Sequence, residues 1–176
     1  PLPYAEPDRI VWMNESGREV RDRHVSFPNF VDWRARNQSF EAMSTFRGWS
    51  VNITGTDKPE NLMGRIVTSD YFKVMRAAPR LGRDFPAEDD KPGAAPVTLI
   101  SYGFWQQRFA GDPNIVGKDI LLDDKPHTVI GVLPESFQHQ GPPPLWVLMG
   151  PLNWKHRDVR DAGNVIARLK PGVTIE

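Results

Sequence analysis

Apolar and polar residues alternate along several short stretches of this chain, which is the pattern of half-buried β-strands. Within residues 47–54, every second residue from Trp49 onward is apolar. Residues 55–59 then supply turn-forming side chains, and residues 61–67 form a second apolar-rich stretch, so we predict a β-hairpin here. Further strands are predicted at residues 9–13, 97–100, 145–149 and 165–169.

Four other stretches begin with a serine and then repeat apolar residues three or four positions apart, as short N-capped helices do. In the first, Phe27, Phe30 and Val31 share one predicted face; in the second, Phe40 and Met43 point inward. The predicted helices start at Ser26, Ser39, Ser69 and Ser101.

A second hairpin is predicted near the middle of the chain. Residues 118–122 and 127–133 are its strands, and residues 123–126 join them. Short helices interleaved with paired strands indicate an α+β fold rather than a doubly wound parallel sheet.

A polar loop over residues 87–95 separates the two halves of the chain. It carries Glu88, Asp89, Asp90, Pro92 and Gly93, residues that interrupt regular structure or favour water. This loop is the predicted subdomain boundary.

The composition excludes several classes of protein. Lys plus Arg and Asp plus Glu both number 22, and this zero net charge argues against a strongly basic nucleic-acid binder. The chain has no cysteine, which removes disulfide scaffolds, thiolate zinc sites and cysteine nucleophiles. No apolar run approaches the roughly 18–20 residues that span a bilayer. The sequence begins at Pro1 and ends soon after a Pro171-Gly172 turn, so we expect a segment of a longer polypeptide.

No arrangement of residues in the sequence predicts an active site. The densest carboxylates, Glu88, Asp89 and Asp90, would serve a hydrolase only if two faced each other across a substrate, whereas neighbouring loop acids are usually solvated. Ser101 follows a strand, but Leu99 stands where a nucleophile elbow needs glycine, so a helix cap is the better interpretation. No glycine-rich phosphate loop occurs. The histidines, none of them in an i, i+4 metal-binding pair, are His24, His127, His139 and His156. We therefore predict no catalytic residue, no metal site and no cofactor.

Six tryptophans are a large apolar content for 176 residues. Most lie on periodic apolar faces and are predicted to pack in the core. Trp154, beside Lys155 and His156, is the tryptophan expected at the surface. Exposed aromatic residues would suit the alternative of a free carbohydrate- or protein-binding module.

Nine blocks of the sequence are recognisable by their order and spacing: residues 25–34, 37–41, 69–75, 79–85, 97–109, 111–118, 121–123, 128–134 and 167–174. Together they resemble a known family, the extracytoplasmic core domain of MacB/FtsX-like permeases, and within it the duplicated orphan permease group of Acidobacteria. The resemblance covers nearly the whole chain and rests on the order and spacing of the blocks. The departures are Arg76-Ala77-Ala78, where the family has a different turn, and residues 155–163.

The resemblance implies a MacB-like periplasmic core of two parts. Residues 1–88 and 145–176 would form a split α/β, porter-like subdomain, and residues 89–144 an inserted, smaller mixed α+β, sabre-like subdomain. It also implies that the segment lies between two transmembrane helices of an inner-membrane permease, on the periplasmic side.

The function implied by the resemblance is mechanical and non-catalytic. ATP hydrolysis by a cytoplasmic ABC ATPase would move the membrane helices, and this domain would transmit that movement to export or envelope partners. The implied partners are the permease's own transmembrane helices, the ATPase, a periplasmic adaptor and a second permease copy, without nucleic acid. Because dimerisation would be arranged through the membrane part, we expect the isolated domain to be monomeric or weakly associating.

Overall fold

A computed structural model describes residues 5–15, 25–137, 143–152 and 163–174. The described strands form one mixed sheet, with three helices and two 3-10 turns placed along it. In chain order the elements are the 3-10 turn Pro7–Arg9, β1 (Ile10–Met13), α1 (Phe27–Arg36), β2 (Phe40–Thr54), β3 (Glu60–Val67), α2 (Tyr71–Met75), β4 (Leu81–Gly82), the 3-10 turn Ala87–Asp89, β5 (Val97–Ile100), α3 (Tyr102–Phe109), β6 (Asp119–Leu122), β7 (Lys125–Val132), β8 (Leu145–Leu148) and β9 (Asn164–Leu169).

The sheet has the strand order β1-β9-β2-β3-β8-β5-β7-β4, and β6 pairs with both β2 and β7. The β3–β8 and β5–β7 pairs are parallel, and the other pairs are antiparallel. A mixed sheet with few helices is an α+β fold, so the predicted fold class is confirmed.

Helices cover both faces of the sheet. On one face, α2 places Phe72 and Val74 in a cluster with Phe46 and Trp146. On the other face, Phe30 of α1 packs on Met43 and β9, and α3 packs Phe104 and Trp105 on the β2–β3 hairpin. None of the described helices is long and apolar enough to cross a membrane.

The helix predicted from Ser39 is wrong, because this segment is the start of the long strand β2. The side chain of Asn37 accepts hydrogen bonds from the backbone N–H groups of Ser39 and Phe40, and so turns the chain out of α1. The strand is buried on both faces here: Met43 lies under α1, and Phe46 lies under α2. Residues 43–46 therefore carry no two-residue alternation from which a strand could have been predicted.

The predicted N-caps are confirmed for two helices. Ser26 Oγ accepts a hydrogen bond from Asn29 N (3.4 Å), and Ser101 Oγ accepts one from Phe104 N (3.2 Å). The helix predicted from Ser69 begins later, at Tyr71, and has no side-chain cap bond. In α1, Phe30 is buried as predicted, but Val31 is exposed.

The second hairpin is tighter than predicted. Asp123 and Asp124 alone form the turn between β6 and β7, with φ of 47° and 60°, and Lys125 and Pro126 belong to β7. Positive φ at both central residues is the two-residue turn whose twist suits a hairpin. Asp123 Oδ1 also accepts hydrogen bonds from Asn52 N and Nδ2, at 2.9 and 3.0 Å, which ties the turn to β2.

His127 gives the domain a predictable response to acid. It is buried in β7, its Nδ1 lies 3.0 Å from Lys125 O, and its Nε2 has no hydrogen-bond partner in the described part of the chain. Burial lowers the pKa of this imidazole below its usual 6.5. The folded state therefore binds this proton less readily than the unfolded state, so His127 makes a destabilising contribution as the pH falls below about 6.5.

We expect the His127→Phe variant to lose less stability than the native protein when the pH is lowered from 7 to 5. The slope of the unfolding free energy against pH should differ between the two proteins by at most about 1.4 kcal/mol per pH unit, the limit for one proton. Chemical unfolding at several pH values measures it. Equal slopes for the two proteins would show that His127 does not titrate on unfolding.

Candidate functional site where the first and last strands meet

The first and last strands of the sheet lie side by side. β1 pairs antiparallel with β9, so that Ile10 is the partner of Arg168. β2 pairs with the other edge of β9. A group of charged side chains, which we call the chain-end cluster, gathers at this junction and consists of Glu6, Arg9, Glu41, Arg76 and Arg168.

Arg168 is the buried member of the chain-end cluster. Its side chain has no solvent exposure, although it belongs to an otherwise apolar stretch of β9. Its Nε donates a hydrogen bond to Val74 O (2.6 Å), and its Nη1 donates one to Glu6 O (3.2 Å). Its Nη2 has no partner among the described residues. One side chain of the last strand thus holds the backbone of α2 and of the segment before β1.

Glu41 lies at the centre of the charges. Its carboxylate oxygens are 2.7 Å from Arg9 Nη2, 3.2 Å from Arg76 Nη2 and 3.8 Å from Arg168 Nε. Glu6 pairs with Arg9 at 2.8 Å and also contacts Arg76. Three guanidinium groups therefore face two carboxylates, and the cluster carries one excess positive charge.

The electrostatics of the cluster follow from this imbalance. The hydrogen bond from Arg9, together with the nearby charges of Arg76 and Arg168, lowers the pKa of the Glu6 carboxyl. Burial first, and then the charges of Arg76 and Arg9, lower the pKa of the Arg168 guanidinium, although an arginine stays protonated at physiological pH. Removing an arginine would bring the cluster to charge balance, whereas removing a carboxylate would increase its excess charge.

Local structure explains how Arg76 reaches the cluster. It ends α2 in the left-handed conformation (φ 50°), and its N–H is bonded to Lys73 O. This is the position where the sequence departs from the resembling family. The cluster links four separate segments: the turn before β1, the start of β2, the end of α2, and β9. Its groups are cations and carboxylates paired with each other, which suits a mechanical link.

The acids of the predicted loop do not face one another across a cleft. Asp89 pairs with Arg83 (3.2 Å). Asp90 Oδ2 accepts a hydrogen bond from Ser69 N (2.9 Å), and its Oδ1 accepts one from Gly150 N (2.8 Å). Burial raises the pKa of the Asp90 carboxyl, while these two N–H groups oppose the rise. We call this linkage of Asp90 with Ser69 and Gly150 the Asp90 staple; it joins the loop to the start of α2 and the end of β8.

The division of the tryptophans between core and surface differs from the prediction. Trp105 and Trp146 are buried, but Trp12 on β1 is 60% exposed, with the edge of its ring against Phe46. Trp154 lies outside the described residues, as do His24, His139 and His156. In the described ranges, no group of three His, Asp or Glu side chains is arranged to hold a metal ion.

The chain-end cluster was missed in the sequence. Its one available signal is Arg168, a lone charge in the otherwise apolar stretch of residues 165–169. A charge within a buried strand requires partners, because burying it alone is very costly. The sequence does not say which segments supply them.

Comparison with known proteins agrees with this architecture. The family model described as MacB-like periplasmic core domain matches residues 4–176. No curated protein matches the chain. The crystal structure of the periplasmic region of MacB from Actinobacillus actinomycetemcomitans is similar, with a TM-score of 0.72, 14% identity, and coverage of 98% of this chain and 78% of that one. The extracellular domain of the noncanonic ABC-type transporter YknZ from Gram-positive bacteria is also similar, with a TM-score of 0.62, 18% identity, and coverage of 93% and 83%.

Proposed function

The chain belongs to the family of MacB-like periplasmic core domains of ABC permeases, and from this premise we propose that it is a non-catalytic lever. A cytoplasmic ATPase would move two transmembrane helices attached to its ends. The domain would carry that movement to export or envelope partners on the far side of an inner membrane. A periplasmic adaptor and a second permease copy are part of this proposal.

The observation that carries the proposal is the pairing of β1 with β9. Because Ile10 and Arg168 are partners, a force applied at either end of the sequence enters the sheet at one place. The chain-end cluster ties that place to α2 and β2. Movement of the helices would therefore reach the whole sheet rather than one loop.

A lever must be stiff, and the packing behind the cluster supports this requirement. From Phe46, aromatic rings follow one another at centroid distances of 5.1–5.7 Å through Tyr71 and Phe72 to Trp146. Such edge-to-face pairs add to the stability that burial alone gives. A chain of interlocked rings resists bending, since no ring can move without displacing its neighbours.

We further propose the two-part organisation, with residues 1–88 and 145–176 as the porter-like part and residues 89–144 as the sabre-like part. Six strands come from the first part: β1, β9, β2, β3 and β8 are adjacent, and β4 pairs with β7 at the far edge of the sheet. β5 and β7 come from the second and continue the same sheet by pairing with β8 and with each other. The two parts would then move together through the hydrogen bonds of the β5–β8, β2–β6 and β4–β7 pairs.

The experiment begins with the native protein in its own cells. Antibody raised against this domain should detect a much larger polypeptide in the membrane fraction, with an epitope that protease can reach from the outer side. A soluble polypeptide near 20 kDa would contradict the proposal. It would favour the second candidate, a carbohydrate-binding module, for which the exposed Trp12 is the specific observation.

The movement itself is tested in the full-length permease with its ATPase. The domain contains no cysteine, so a single Asp57→Cys substitution in the exposed β2–β3 turn gives one spin label in each copy of the domain. We expect the distance between the labels of two copies to change when ATP binds. A distance that stays the same with and without ATP would contradict the lever.

A further inference from the structure

A groove of about 520 Å³ lies between β3 and α3, away from the chain-end cluster. On the β3 side, four consecutive residues, 60–63, line it. Successive side chains of a strand point to opposite faces, so a groove against a sheet face would be lined by alternate residues. Contact with four in a row means that the groove meets β3 along its edge.

This edge has no strand partner in the described parts of the chain. β2 occupies the other edge of β3 throughout, whereas β8 pairs only with residues 65–67. At Gly64, the next residue of β3, the side chain of Leu145 packs closely on the strand, since a methyl group on Gly64 would lie 2.8 Å from Leu145 Cδ1. Pro144, which precedes β8, has no N–H, and its carbonyl already accepts a bond from Ser101 N. An unpaired strand edge is a template for another strand.

The opposite wall is formed by the first turn of α3 and the segment after β7. Tyr102, Phe104 and Phe137 give it apolar surface, and Met63 of β3 extends into solvent with 62% exposure. Two of the described lining residues are acidic, Glu60 and Glu135, and none of the described ones is basic. Glu60 lies 3.9 Å from Arg108 Nη1, so Glu135 supplies the negative charge that a ligand would meet. The groove therefore combines backbone hydrogen-bonding groups, apolar contact surface and negative charge.

We propose that this groove binds an extended peptide segment of a partner protein, which adds as a strand to the free edge of β3. The free edge of residues 60–63 is about 13 Å long, enough for about four peptide residues. Backbone hydrogen bonds would provide affinity, and side-chain contacts would provide selectivity, as in other cases of strand addition. The segment would carry apolar side chains for Met63 and Tyr102 and at least one Lys or Arg for Glu135. This inference does not depend on the proposed function.

Gly103 offers a matched pair of variants for the test. It lines the groove in the first turn of α3, and a methyl group added to it would meet nothing within 4 Å. Gly103→Ala should therefore leave the groove open, while we expect the large side chain of Gly103→Trp to obstruct it. Both should fold, because the added side chain points into open space and alanine favours a helix over glycine. Thermal unfolding of each variant checks this.

The 176-residue protein is used to select binders from a displayed library of random linear 12-residue peptides. We expect the selected peptides to share alternating apolar residues with a Lys or Arg. They should bind the native protein and Gly103→Ala equally, and Gly103→Trp at least about tenfold more weakly, a loss of 1.4 kcal/mol or more. Hydrogen exchange measured by NMR should show new protection of backbone amides within residues 60–63.

Three outcomes would overturn the proposal. The first is a library that yields no binder, which includes the case of a groove filled by another part of the same chain. The second is a set of binders that Gly103→Trp retains fully or that protect amides elsewhere, such as those of β1. The third is a concentration-dependent dimer that Gly103→Trp abolishes, which would make a second copy of the chain the occupant.

Discussion

Replacing Gly150 by alanine is expected to lower the free energy of unfolding by about 3–5 kcal/mol, the range of the most damaging single substitutions. A methyl group on Gly150 would lie 2.3 Å from the carbonyl carbon of Asp90 and from Lys91 N, closer than atoms can approach. Both neighbours are backbone atoms, so no side-chain rotation relieves the clash. Moving the backbone apart would break the bond from Gly150 N to Asp90 Oδ1 and leave a buried carboxylate short of a donor.

Urea unfolding of the purified domain measures this cost, and Gly103→Ala is the matched control. The control adds the same methyl group where nothing lies within 4 Å, and it should raise stability by up to about 1 kcal/mol. If Gly150→Ala unfolded at the same urea concentration as the native protein, the close packing of Gly150 on Asp90 would contribute nothing to holding the loop against β8.

Replacing Arg168 by alanine is expected to cost about 3–5 kcal/mol, because it empties a buried site and breaks charged hydrogen bonds together. The carbonyl groups of Val74 and Glu6 would lose their donor. Arg168→Met retains most of the volume and brings the chain-end cluster to charge balance. We therefore expect a smaller cost for methionine, about 1–3 kcal/mol, which arises from the two unpaired carbonyls.

A double-mutant cycle with Glu41→Gln separates charge from packing. Glu41→Gln alone leaves three arginines against one carboxylate and should destabilise the domain. Combined with Arg168→Met, its cost should fall by at least about 0.5 kcal/mol, because the excess charge is then smaller. Strictly additive costs would show that Arg168 and Glu41, 3.8 Å apart, do not interact energetically.

The sequence predicts best those features that neighbouring residues decide. The caps at Ser26 and Ser101, both hairpins and the strand at residues 97–100 depend on side chains within a few positions of each other, and the structure contains them. The prediction for the start of β2 was wrong because β9, more than a hundred residues away, pairs with this segment, while α1 and α2 bury its two faces. There the distant partner overrides the local helical spacing of Phe40 and Met43.

The two sites could not be derived from the sequence for a related reason. The chain-end cluster takes its residues from four segments, and only the lone charge of Arg168 signals it. The groove exists because β3 runs past the start of β8, which is a property of sheet register. Trp12 is likewise exposed because β1 is the edge strand, although its stretch is as apolar as the buried ones.

The pairing of the first strand with the last also sets the order of events during synthesis. Ile10 leaves the ribosome long before its strand partner Arg168. Phe46 likewise emerges long before its partner Asn164. Contacts so far apart in sequence close large loops, which slows folding relative to helical proteins of the same size. The sheet cannot be completed until β9 has emerged, so β1 and one edge of β2 stay unpaired in the nascent chain. Those two edges are where misassembly, and protection by a chaperone, should be concentrated.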